Sequence, residues 1–297
     1  MSSFTTVPEA LAAYEHWLTR QPLSNNTRRT YLTQVKRYCT YLSTLHWEYG
    51  HPLQEPHACD YAVRDYKTAL KGAHLAKPSS VTLALAAIDH FYRFLELLTP
   101  HVAREDLPAQ APRALEPPEQ KRFLRTVERC SSVRDRAIAL LLFYTGLRIS
   151  ECAALTVDDV RLSSRKGLVI VRMGKGNSYR EVPLNAEVRT ALDAWLEQRQ
   201  KLVSQQNESA LFLTKQGTRL ATRTIDDVVR RLGQEANLSL SAHILRHSCL
   251  TNLVRNGNDL VLVAELAGHK RLETTRRYSL PTAADREAAM EGLKVDY

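Results

Sequence analysis

Apolar side chains recur every three or four positions along most of the chain, the spacing that builds one face of an α-helix. The pattern begins in PEALAAYEHWLTR, where Leu11, Tyr14 and Leu18 share a face. It resumes from Asn26 to Trp47, where Tyr31, Val35, Tyr38, Leu42 and Leu45 form a stripe and Arg28, Arg29, Lys36 and Arg37 surround it. A third helix is expected over Cys59 to Lys71, and a fourth, strongly apolar, over Ser80 to Leu98. The four predict a small, basic, all-helical domain over residues 1–107.

Residues 108–118 interrupt the pattern. Pro108, Pro112, Pro117 and Pro118 can neither continue a helix nor sit in a central strand, so this stretch is the expected interdomain linker. Residues 119–297 then form a second domain. Helices are predicted over about 119–129, 133–145 and 150–155. GLVIVRM and SYREVPL follow as two strands flanking the turn Gly174-Lys175-Gly176-Asn177, the one convincing β-hairpin pattern in the chain. Amphipathic runs return over 186–203, 222–235, 243–257, 259–267 and 283–293. The fold class is therefore mainly α, in two domains, with a small β-hairpin or sheet in the second.

Composition narrows the class of partner. Among 297 residues, 44% are hydrophobic and 25% charged, which is ordinary for a globular protein. The formal charge of +9 favours a polyanion, because lysine and arginine that neutralise phosphates release condensed counterions. The cysteines, Cys39, Cys59, Cys130, Cys152 and Cys249, are odd in number and lack any CxxC or Cys/His ligand spacing, as expected of reduced structural thiols. The start, MSSFTTVPEA, has no secretory pattern, and no apolar run approaches the roughly 20 residues that span a bilayer. A cytoplasmic protein with no membrane partner is the expectation.

Four segments concentrate possible chemistry. In HILRH, His243 and Arg246 lie three residues apart on one helix face, where a phosphate can meet both; alone, the segment better fits a solvated basic helix end. In TGLRISE a glycine breaks a helix, and Arg148 and Glu151 follow one turn apart, with Glu151 able to orient the guanidinium or to form an ordinary surface pair worth about 0.5 kcal/mol. Lys175 stands between two glycines at the hairpin tip, able to swing into a cleft or simply to be solvated. The last segment is GHKRLETTRRY. On one unbroken helix His269 and Tyr278 would face opposite ways, since nine steps of about 100° make two and a half turns. They converge only if the chain breaks between them, with Thr274 and Thr275 as caps for a new helix carrying Tyr278 and Pro281 ending it.

Taken in order, TGLRISE, the hairpin lysine in MGKGNSYREVPL, HILRH and LAGHKRLETTRRY resemble the tyrosine recombinase (phage integrase-type) family, nearest in layout to the bacterial Xer recombinases. The resemblance covers most of residues 113–281, and NNTRRTYL and HFYRFL extend it to the amino-terminal helices. It implies a core-binding (SAM-like) DNA-binding domain and a catalytic domain that close on DNA as a C-shaped clamp. It maps Arg148, Lys175, His243, Arg246 and His269 onto the family's catalytic set and Tyr278 onto its nucleophile, with no cofactor and no metal. Cys152, where leucine is frequent, reads as a packing substitution.

The chemistry suits these side chains. Attack on a phosphodiester builds charge on non-bridging oxygens, which the donor forks of Arg148 and Arg246 match. A phenol with a reference pKa near 10 needs a base, for which His243 is the candidate; His269 would bond the phosphate and Lys175 protonate the departing 5′ hydroxyl. The product is a 3′-phosphotyrosyl link that conserves the bond for rejoining. The resemblance further implies a homotetramer on two double-stranded DNA recombination sites, exchange through a Holliday junction, and a carboxyl-terminal helix, AADREAAMEGLKVDY, docked on its own or a neighbouring protomer. No counterpart of the lambda-type arm-binding domain is visible, which leaves chromosome-dimer resolution, transposon or plasmid resolution, and integration, in a mobile-element or Xer-like role. The rivals are a type IB topoisomerase and a catalytically silent DNA-binding accessory protein.

Overall fold

Each of the four amino-terminal helices begins where the sequence supplies a starting device. In the computed structural model, which describes residues 6–44, 50–72, 76–105, 113–172, 179–202, 209–269, 271–280 and 290–291, α1 spans Val7–Thr19 and α2 spans Asn25–Leu42. The Thr6 hydroxyl accepts from the Glu9 amide and the Ser24 hydroxyl from the Thr27 amide, satisfying donors that the first turn leaves free. Helices α3 (Pro56–Gly72) and α4 (Pro78–Phe94) each open on a proline, whose missing N–H costs nothing there. This adds three residues to the start of the expected third helix. The fourth stops four residues before Leu98 because Glu96 turns left-handed at φ 59°. Helix α2 ends at Leu42 with Ser43 as its C-cap, short of the expected Trp47, and residues 45–49 lie outside the described residues.

The chain divides into two units, Met1–Pro108 and Ala109–Tyr297. The core of the first is aromatic: Tyr14, Tyr38, Phe91 and Tyr92 are wholly buried. The hydroxyls of Tyr38 and Tyr92 bond each other at 2.8 Å, which removes the penalty for burying either.

The second unit holds α5 (Pro117–Arg129), α6 (Val133–Thr145), α7 (Ile149–Ala154), β1 (Val160–Leu162), β2 (Gly167–Val171), β3 (Arg180–Pro183), α8 (Ala186–Leu202), α9 (Thr222–Glu235), α10 (Ala242–Arg255), α11 (Leu260–Ala267) and α12 (Leu272–Arg276). Helix α5 takes in Pro117 and Pro118, since the first turn tolerates both. Leu115 just before it is buried and its amide donates to Ser248 Oγ at 2.8 Å. The predicted hairpin is β2 and β3, paired antiparallel from Leu168 opposite Pro183 to Val171 opposite Arg180. A third strand, β1, pairs with the other edge of β2. The hairpin turn around Lys175 is outside the described residues.

Helix α6 is buried on nearly every side, with Ala137, Ile138, Ala139, Leu141 and Leu142 fully enclosed, as befits the central helix of the unit. It packs on α8 and α10. The five cysteines are unpaired and buried. Among the described residues no helix is long and apolar enough to cross a membrane.

Candidate active site

Two helices of the second unit end on left-handed glycines, and their last carbonyls organise the site. Helix α6 ends at Gly146 (φ 61°) and α11 at Gly268 (φ 63°). A helix C-terminus leaves carbonyls without partners and carries partial negative charge, so it attracts guanidinium groups. Arg246, on the buried face of α10, donates from Nη1 to Gly146 O and from Nη2 to Ala267 O at 2.8 Å. Arg148 donates from Nη2 to Gly268 O at 3.1 Å, and Arg180 of β3 from Nε to Leu266 O at 2.9 Å. Three arginines from three elements are thereby fixed around two chain ends.

Glu151 ties two of them together. Its carboxylate accepts from the Arg148 amide at 2.8 Å and from Arg148 Nη1 at 2.6 Å. It also accepts from Arg180 Nη2 at 2.7 Å and Nη1 at 3.1 Å. Glu151 is 3% exposed, so the expected surface pair is a buried one. Burial alone would raise its pKa, but the bonds from Arg180 and Arg148 outweigh this and hold the carboxyl below its usual range. Burial, followed by the nearby Arg148, lowers Arg246 to about 10, which leaves it charged at neutral pH.

Tyr278 lies inside this frame, 6% exposed and stacked parallel to His269 with ring centroids 6.1 Å apart. The His269 Nε2 stands 3.0 Å from Arg246 Nη2. Arginine only donates, so Nε2 is the acceptor and the His269 proton sits on Nδ1, 2.8 Å from Thr275 Oγ1. Burial and then the cations Arg246, Arg148, Arg180 and Arg277 push His269 down to about 4. The Tyr278 hydroxyl meets His247 Nδ1 at 2.9 Å, and His247 Nε2 meets His243 Nε2 at 2.7 Å. Burial raises the Tyr278 pKa, and Arg246, Arg277 and Arg148 offset only part of that rise. Burial, then Arg246 and Arg277, lowers His243.

Of the six residues singled out from sequence, Arg148, His243, Arg246, His269 and Tyr278 converge here, and Lys175 lies outside the described residues. The chain does break between His269 and Tyr278. The break is made by Gly268 and the extended Arg271, which starts α12. Thr274 and Thr275 are not caps: they lie inside α12, with the Thr275 hydroxyl committed to His269. Tyr278 is not on that helix but just beyond it, its amide bonded to Thr275 O. His243 does not touch the phenol directly; it reaches it through His247, which the sequence had offered only as part of HILRH. The i,i+4 spacing of His243 and His247 on one helix is the signal for that pairing. Arg180 was also passed over; on β3 it shares the buried face with Val182.

Comparison with known proteins places both units of the chain in one family. Residues 113–284 match the model of the phage integrase family, and residues 11–97 match the phage integrase N-terminal SAM-like domain. The chain is 32% identical to tyrosine recombinase XerA of Thermococcus kodakarensis, over 97% of this chain and 96% of that protein. It is 36% identical to tyrosine recombinase XerC of Myxococcus xanthus, over 74% and 77%. The fold resembles a XerH site-specific recombinase bound to palindromic difH substrate in a post-cleavage complex, with TM-score 0.72 and 22% identity over 89% of this chain and 79% of that one.

Proposed function

This chain belongs to the phage integrase family of tyrosine recombinases, and from that premise we propose that Tyr278 is the nucleophile with which it cleaves and rejoins DNA. The protein is a site-specific DNA recombinase acting on double-stranded DNA. The reading of its site rests on one observation above the rest: Arg148 and Arg246 are anchored through helix-end carbonyls near the buried phenol of Tyr278. Pre-fixed guanidiniums stabilise the charge that develops on phosphate oxygens without reorganising during the reaction.

In this mechanism the scissile phosphate enters against Arg148 and Arg246. Attack by the Tyr278 oxygen forms a 3′-phosphotyrosyl bond, and Lys175 protonates the leaving 5′ oxygen. His269 holds Arg246 in the free protein and turns to the phosphate when DNA is bound. The covalent link retains the energy of the broken bond, so a 5′ hydroxyl from a second strand reverses the step and completes exchange. Residues 1–107 serve as the core-binding domain, 108–118 as linker and 119–297 as the catalytic domain. Four protomers hold two sites and exchange one strand pair at a time through a Holliday junction in the cytoplasm.

The test uses nicked suicide duplexes, recovered from a random-sequence pool by their capture in covalent adducts with the parent protein. Tyr278→Phe forms no adduct on them while binding them as the parent does. An adduct with the phenylalanine variant would transfer the role to another tyrosine, with Tyr144, Tyr179 and Tyr297 the first to examine. Strand exchange between two such sites separates a recombinase from a topoisomerase, which relaxes DNA without exchanging partners.

A further inference from the structure

His247 has no part in the mechanism above, yet it is the residue that touches the Tyr278 hydroxyl. Its ring sits 4.0 Å from that of His243 and 5.4 Å from that of Tyr278, so the three side chains form one continuous line through the second unit's α10. The line has a direction. The Arg246 guanidinium is a nearby cation that can only donate, which turns the phenol hydrogen away from it, towards His247 Nδ1. His247 then carries its own hydrogen on Nε2 and donates it to His243 Nε2, 2.7 Å away. The inner members, Tyr278 and His247, are buried, and His243 is exposed. The path therefore leads from an enclosed phenol to solvent.

We propose that His247 is a proton relay for the recombinase reaction, accepting the Tyr278 phenol proton at Nδ1 as it passes its Nε2 proton to His243. The proposal rests on Tyr278 being the nucleophile. As the Tyr278 oxygen bonds to phosphorus, its O–H bond breaks and a new N–H forms at His247 Nδ1. The N–H at His247 Nε2 breaks and one forms at His243 Nε2, leaving His243 as the imidazolium at the surface. The departing 5′ oxygen takes its proton separately, so the proton lost by the phenol is matched by the one gained at His243, which releases it to solvent, and the electron pairs balance.

The surroundings suit a relay better than a store. Burial, then His243 on the same helix, Arg277 beyond α12, Arg246 on α10 and His269 at the end of α11 push the His247 pKa down to about 3. A group so weakly basic is neutral and ready to accept at every physiological pH, and it cannot retain a proton that an adjacent imidazole will take.

The experiment measures single-turnover adduct formation on the suicide duplexes recovered with the parent protein. His247→Ala is expected to form adduct at least about 100-fold more slowly at unchanged DNA affinity, the scale of one general-base contribution, and added imidazole to restore at least about tenfold of it. His247→Asn places an amide where Nδ1 stands and keeps an acceptor for the phenol without a second nitrogen to pass the proton on. It is expected to remain folded at the assay temperature and still to cleave slowly. A duplex with a 5′-bridging sulfur, whose leaving group needs no proton, is expected to leave both defects unchanged. Adduct formation by His247→Asn within about threefold of the parent, failure of imidazole to restore His247→Ala, or rescue of either variant by the sulfur substrate would each overturn the relay. Nitrogen NMR of the unmutated protein gives an arm independent of folding: a proton on His247 Nε2 supports the relay, and one on Nδ1 refutes it. Tyr278→Phe runs in parallel; an adduct there would remove the nucleophile assignment itself, whatever His247 does.

Discussion

Arg180 and Glu151 form a two-pronged ion pair, at 2.7 and 3.1 Å, with both side chains almost wholly removed from solvent. Because Glu151 also holds Arg148, the strand residue Arg180 stabilises the orientation of an arginine 32 positions away. Arg180→Met should destabilise the protein by about 3–5 kcal/mol, the cost of leaving a buried charge without one partner. The double variant Glu151→Leu/Arg180→Met should be more stable than Arg180→Met alone, because no buried carboxylate remains, while Arg148, a quarter exposed, keeps water and the Gly268 carbonyl as partners. Urea unfolding of the four proteins in this cycle measures both terms, and simple additivity would refute the coupling.

Gly268 carries a second constraint on the same arginine. Its φ of 63° is left-handed, and a β-carbon there would stand 2.7 Å from Arg180 Nη1, which its bonds to Glu151 and Leu266 hold in place. Gly268→Ala should cost about 1–2 kcal/mol for the backbone alone and displace Arg180 as well. The expected result is a lowered unfolding midpoint together with slower adduct formation. A midpoint equal to the parent's would show that the Arg180 position is not fixed by close approach.

Arg246→Lys keeps a positive charge but cannot span Gly146 O and Ala267 O while presenting a fork to phosphate. Single-turnover cleavage should fall on the order of 10²–10³-fold, the scale seen when one preorganised donor to a developing oxyanion is lost. Affinity for the same duplex, measured by fluorescence anisotropy, should change by less than about threefold, because binding draws on many cations. Equal losses of binding and cleavage would mean that Arg246 acts only in attaching DNA.

These contacts differ in how far sequence could reveal them. Helix α6 was readable end to end because its signals are local: the Ser132 hydroxyl caps its start and Gly146 ends it. The break before Tyr278 was readable for the same reason, since helical phase links His269 and Tyr278 within one short segment. Strand β1 was not, because three residues are too few to show alternation. Arg180 escaped because Arg180 and Glu181 are adjacent charges in a strand, and nothing local says that one faces Glu151 and the other solvent. His247 escaped because its partner phenol arrives from 31 residues downstream. Residues whose meaning depends on another element stay invisible until the elements pack.

The same packing makes stability depend on pH in a predictable sense. His247 and His269 are pushed down to about 3 and about 4, in both cases by burial first and by neighbouring positive groups after it. In the unfolded chain each titrates near 6.5, so between that value and its folded pKa the unfolded state binds more protons than the native one. The stabilisation from keeping these rings neutral is therefore complete above about pH 6.5 and is lost progressively as pH falls towards 4 and 3. By pH 5 the loss should amount to about 2 kcal/mol per histidine, or some 4–8 °C in unfolding midpoint. The stabilisation from Glu151, whose carboxyl is held below its ordinary value of 4.5, is lost mainly below pH 5 and does not bear on a comparison between pH 7.5 and pH 5. His247→Asn and His269→Asn each remove one titrating ring, so each variant should lose less than the parent between pH 7.5 and pH 5, even where its midpoint at pH 7.5 is lower. Using the difference between the two pH values cancels the hydrogen bonds that the substitutions delete. Identical pH slopes for parent and variants would show that these rings already carry protons in the native protein, with Nε2 of His269 donating instead of accepting.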